Sequence, residues 1–137
     1  AKHRRVLRDF VIDADGARYF LDSHGIIKVS RGDLAVLDNE RLKTHGARLL
    51  DVGRDQAMYF VEAGRRVMRF AGGETSAVAG GLEKGASPAQ LDGVGGLVVA
   101  RDGTLYISDV GNNRIQKWSA GAVVGTTVAG GNGAGNR

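Results

Sequence analysis

The sequence has no cysteine, one proline (Pro88), one tryptophan and only 6% aromatic residues among its 137. Without cysteine, disulfides and thiolate metal centres are excluded, while the cellular compartment stays open. No apolar run approaches the roughly 20 residues that a membrane-spanning helix needs. The first ten residues, AKHRRVLRDF, are basic with no apolar stretch behind them, which is not a secretory leader pattern. Scarce proline beside 22 glycines points instead to many tight turns between short elements. With 42% hydrophobic and 25% charged residues, the balance is that of a folded globular chain. The net charge of +4 is uneven: residues 1–10 hold +3 of it, with Lys2, Arg4, Arg5 and Arg8 against Asp9. Most of the basic excess is thus a terminal arm rather than a domain surface, and the pointer to nucleic acid is weak.

What the sequence does contain is a repeat. Asp15, Asp55 and Asp102 each precede a tyrosine by four residues (Tyr19, Tyr59 and Tyr106). Each tyrosine precedes an acid by three (Asp22, Glu62 and Asp109), and all three columns advance by 40 and then 47 residues. Each unit reads as four short strands. In the third, Leu97 to Ala100 leads through Arg101-Asp102-Gly103 to Thr104 to Ser108, then through a turn to Arg114 to Trp118, and finally to Thr126 to Ala129. Glycine suits the first of these turns because it adopts positive φ without steric cost. The second unit has Gln56 in that place.

Runs such as LVVA and LYIS are apolar on both faces, as expected of strands stacked between neighbouring sheets. Short strands, hairpin turns and this period predict an all-β fold, a β-propeller made of four-stranded blades. Strands are expected near 9–13, 17–21, 26–29, 34–37, 49–53, 57–61, 66–70, 76–79, 96–100, 104–108, 114–118 and 126–129. The chain then divides into a basic arm (1–8), a first blade (9–48), a second (49–95), and a third with the start of a linker (96–137). A helical repeat is the rival at this period, but Gly, Asn and Asp interrupt about every eight residues. One stretch, Asp38 to His45, has the composition for a helical turn.

The third unit, GLVVARDGTLYISDVGNNRIQKW followed by GTTVAGGNGAG, closely resembles the NHL repeat. Asp109, Asn112, Arg114 and Ile115 fall on its D-x-x-N-x-R-I pattern. In the second unit Glu62 replaces the aspartate and Arg65-Arg66-Val67 stands for the N-x-R-I part, while VAGG recurs at Val78 to Gly81. The first unit keeps Asp15, Gly16, Tyr19 and Asp22. The resemblance implies a rigid disc that works by recognition, presenting loops to a protein or other macromolecule. It also implies partners in the form of further blades, from this or another chain.

Catalytic readings find little support. The acid that recurs in each unit suits a building role, because a catalytic group is needed once. Asp109 is expected to accept turn amides and pair with Arg114, and Asn112 to take the left-handed turn conformation. The histidines His3, His24 and His45 have no metal-ligand spacing, so no metal site and no cofactor is expected. The resemblance includes metal-dependent lyases with histidines converging on the channel, and no residue set here matches theirs. No nucleophile elbow, P-loop or complete dinucleotide fingerprint occurs. The glycine-rich tail GGNGAGNR follows a strand and suits a link to a further blade. Arg65, Arg66 and Arg69, with Lys2, Arg4 and Arg5, form the one candidate binding rim, and RNA is the alternative ligand it suggests. The expected function is non-enzymatic binding or scaffolding.

Overall fold

A computed structural model describes residues 7–22, 25–36 and 48–131. It contains twelve strands in three four-stranded antiparallel sheets. The first sheet is β1 (Leu7–Ile12), β2 (Arg18–Asp22), β3 (Gly25–Ser30) and β4 (Asp33–Val36). The second is β5 (Arg48–Val52), β6 (Met58–Glu62), β7 (Arg66–Ala71) and β8 (Glu74–Gly80). The third is β9 (Val94–Val99), β10 (Leu105–Asp109), β11 (Arg114–Trp118) and β12 (Thr126–Gly130). Each sheet is a simple meander in chain order. All twelve expected strands are present, displaced by at most a few residues at their ends. The expected helical turn at 38–45 and residues 1–6 of the terminal arm lie outside the described residues, while the last two residues of that arm, 7 and 8, already belong to β1.

Local chemistry explains the meander. Each first turn is a three-residue loop closed by an i to i+3 bond, from the amides of Gly16, Gln56 and Gly103 to the carbonyls of Asp13, Gly53 and Ala100. The closing residue has φ of +86°, +67° and +87° respectively. Gln56 therefore holds a left-handed conformation that costs a side-chain-bearing residue about 1–2 kcal/mol. The third turns of the first two sheets are two-residue loops with both central φ positive, at Arg31-Gly32 and Gly72-Gly73. That is the turn whose twist matches paired strands.

The three tyrosines occupy one register position. Tyr19 lies between Val11 and Lys28, Tyr59 between Asp51 and Arg69, and Tyr106 between Val98 and Lys117. In the first two sheets this tyrosine packs toward the sheet that follows. Two cores result. Between the first and second sheets, Tyr19, Leu21 and Ile26 meet Met58, Phe60 and Met68. Between the second and third, Tyr59, Val61 and Val67 meet Val94, Ile107 and Trp118. The innermost strands also approach one another, β1 to β5 and β5 to β9. Asp51 on β5 ties two of them directly, its Oδ2 accepting the Val99 amide at 2.7 Å. Three sheets stacked face to face with their first strands together form consecutive propeller blades, in an open arc.

The arc ends in two bare faces. On the first blade Phe10, Ile12 and Leu34 are 57–65% exposed. On the third, Val98 is 59% exposed, Val128 49% and Tyr106 39%, whereas its counterparts Tyr19 and Tyr59 are 1% and 5% exposed. Among the described residues no sheet follows the third blade to cover Tyr106.

Candidate functional site

The second hairpin of the third blade carries the most concentrated polar chemistry, and it is wired inward. Asp109 is fully buried. Its Oδ1 accepts the Asp92 amide at 2.7 Å, and its Oδ2 accepts Asn112 Nδ2 at 2.9 Å and Arg114 Nε at 2.8 Å. Arg114 spends its other donors on the carbonyls of Ala86, Ser87 and Gln90, and Asn112 also reaches the Gly85 carbonyl. Carboxylate, amide and guanidinium thus clamp residues 85–92, the connection from the second blade, onto the third. One expectation needs correcting: the left-handed residue is Asn113 (φ +53°), not Asn112. Asn112 closes a 3-10 turn, Val110–Asn112, which aims its amide at Asp109 and Gly85.

The first-turn acids serve as turn caps. Asp55 Oδ1 accepts the Ala57 amide and Asp102 Oδ1 the Thr104 amide. These backbone bonds are the main reason both carboxyls sit below the ordinary carboxylate pKa. In the first blade Asp13 takes this role, accepting the amides of Asp15 and Ala17 and the Tyr19 hydroxyl. Asp15 instead meets Gln56 Nε2 of the next blade at 3.0 Å. Asp22 ends β2 opposite Gly25.

The arginines grouped in sequence do not form one rim. Arg66 pairs with Glu62 across the second turn of its blade. Arg69 lies toward the opposite end of β7, where Nη2 meets Asp55 at 2.8 Å and Nε meets the Tyr59 hydroxyl at 3.1 Å. Two of the three cations are therefore neutralised, and they point to opposite ends of the blade. Arg65 stays in the turn. Lys2, Arg4 and Arg5, like His3, His24 and His45, lie outside the described residues. Among the described residues no group of three or more His, Asp or Glu side chains could hold a metal ion. No helix among them is long and apolar enough to cross a membrane.

A cleft opens where the first turns of the second and third blades meet, with a volume of about 460 Å³. It is lined by Val78, Val99 and Leu105, and by Arg54, Arg101 and Ser119. Arg54 and Arg101 also line a shallower depression on the side toward the first blade. Sequence reasoning passed over both arginines. The signal was available, because each stands five residues before the repeat tyrosine, where the first blade has Ala14.

These features define a segment of a β-propeller. The family model described as NHL repeat matches residues 91–118 of the third blade, the part that holds β9 to β11 with Asp109, Asn112 and Arg114. Among curated proteins no sequence matches the chain. Among solved structures, a catalytically inactive virginiamycin B lyase from Staphylococcus aureus with quinupristin superposes with a TM-score of 0.61 at 16% identity. That match covers 88% of this chain and 40% of the lyase. A selenomethionine form of the same enzyme gives 0.60 at 16% identity with the same coverage. A streptogramin B lyase structure gives 0.57 at 15%, over 82% of this chain and 37% of that one. At such identities the likeness is one of fold, and this chain spans about two fifths of the length of each neighbour.

Proposed function

We propose that these blades belong to a larger ring that works by non-enzymatic binding, a scaffold presenting its turns to a protein or other macromolecular partner. The observation that carries this reading is the use made of the repeat's reactive-looking groups. Asp109, Asn112 and Arg114 are consumed in clamping one blade to the connection before it, and Asp55 and Asp102 in capping turns. Side chains spent in this way hold a rigid frame, and recognition is left to the loops. The bare end faces support the ring. Phe10, Ile12 and Leu34 on one side and Val98, Tyr106 and Val128 on the other are apolar in the pattern that neighbouring blades bury inside the arc. Full burial of each large side chain contributes roughly 1.5–3 kcal/mol, so covering these faces is strongly favoured.

The test has two arms, both on the full chain. One incubates the protein with quinupristin and divalent cations and follows the substrate by chromatography. Unchanged substrate is expected, and turnover would overturn the non-enzymatic reading. The other captures partners by crosslinking in the source cells and repeats the capture with exposed turn residues substituted. A partner lost on such substitution, with the circular dichroism spectrum unchanged, is the expected result. Capture insensitive to every turn substitution would contradict it.

A further inference from the structure

We propose that the cleft between the second and third blades is a binding site for a small organic anion, with Arg54 and Arg101 holding its oxyanion group. This goes beyond the scaffold reading and does not depend on it. The cleft lies between two blades that are both present, so further blades are not needed to build it. Its volume of about 460 Å³ falls within the range of small-molecule sites, roughly 300–1,000 Å³.

The charges in the cleft are of two kinds. Arg69, Asp55 and Asp102 are committed: Arg69 to Asp55 and the Tyr59 hydroxyl, and both carboxylates to turn amides. Arg54 and Arg101 are not. The ion pairs among the described residues go to Arg66, Arg69 and Arg114, and neither Arg54 nor Arg101 has a carboxylate partner there. Both are exposed, and both occupy the second position of a first turn, so the same backbone geometry presents them from adjacent blades to one cleft. A guanidinium offers a planar fork of donors that suits carboxylate and phosphate oxygens. Val78, Val99 and Leu105 give the cleft apolar lining, and Ser76 and Ser119 also line it. That combination fits a ligand with an apolar body and one anionic group, either a carboxylate or a phosphate monoester.

The test titrates the full, isotope-labelled protein with phenyl phosphate, benzoate, inorganic phosphate and neutral benzyl alcohol, and follows the backbone amides by NMR. Shifts confined to Gly53, Arg101, Gly121 and their neighbours are expected with phenyl phosphate or benzoate, and the tighter of the two identifies the anionic group. Arg54→Gln and Arg101→Gln should each weaken binding about tenfold, with the thermal midpoint unchanged because both side chains are exposed. Arg54→Lys should retain part of the affinity. No shifts up to about 10 mM probe would overturn the proposal, since that bounds the affinity below any useful range. Binding unaffected in the double glutamine variant would also overturn it, as would inorganic phosphate binding as tightly as phenyl phosphate.

Discussion

Replacing Asp109 with alanine removes one fully buried carboxylate and three hydrogen bonds at once. The magnitude follows from what remains. Arg114, whose side chain is only 9% exposed, keeps its three carbonyl acceptors but loses its counter-charge. Breaking a buried ion pair by deleting one partner typically costs about 3–5 kcal/mol. The orphaned Asp92 amide and Asn112 side chain add up to about 1–3 kcal/mol each when they cannot reach water. These contributions overlap, so about 3–5 kcal/mol is expected overall. That is a large share of the roughly 5–15 kcal/mol that stabilises a typical domain. Urea unfolding of the full protein measures it, and hydrogen exchange at residues 85–92 localises it. A double-mutant cycle with Arg114→Met separates the pair: the double variant should be more stable than Asp109→Ala alone, because no charge is left uncompensated. A loss below about 1 kcal/mol, with no faster exchange at 85–92, would refute the clamp and reopen a chemical role for Asp109.

Three further outcomes follow. Gly130→Ala should destabilise the third blade by at least about 2 kcal/mol, read from thermal unfolding, because Gly130 has φ +74° and a Cβ there would strike the Asn113 carbonyl. Gln56→Gly should stabilise the second blade by up to about 1 kcal/mol, relief of its left-handed strain outweighing the exposed bond to Asp15. Asp55 and Asp102 have folded-state pKa values below the ordinary 3.8. Their contribution is therefore present above that value and lost as pH falls through the depressed folded-state pKa. Urea midpoints measured on descending below about pH 4 should fall less steeply in Asp102→Asn than in the parent.

The strand plan was readable because spacing alone dictates it. Apolar runs of four to six residues, broken by turn residues at a constant distance from a tyrosine, leave little choice of hairpin. The tyrosine column held in register even at Tyr106, where exposure differs, because register depends on turn length and not on burial. Assignments inside the turns were harder to read. Whether Asn112 or Asn113 adopts positive φ depends on the 3-10 turn that begins at Val110. Whether Asp13 or Asp15 caps the first turn depends on which carboxylate reaches the Ala17 amide. The apparent cluster of Arg65, Arg66 and Arg69 dissolved because residues three apart on a strand point to opposite faces and approach opposite ends. The cleft was invisible for a related reason: its walls come from two blades 47 residues apart. Only the shared position of Arg54 and Arg101 relative to the repeat hinted at it.

The proposed ring requires that both bare end faces of the open arc be covered. Sedimentation of the 137-residue chain alone tests it most directly. The mass of the chain is 14.4 kDa. The account predicts concentration-dependent association above that mass at micromolar concentration, with Phe10→Glu and Val98→Lys each weakening it by placing charge on one bare face. A cooperatively folded, stable 14.4 kDa monomer, indifferent to both substitutions, would contradict it.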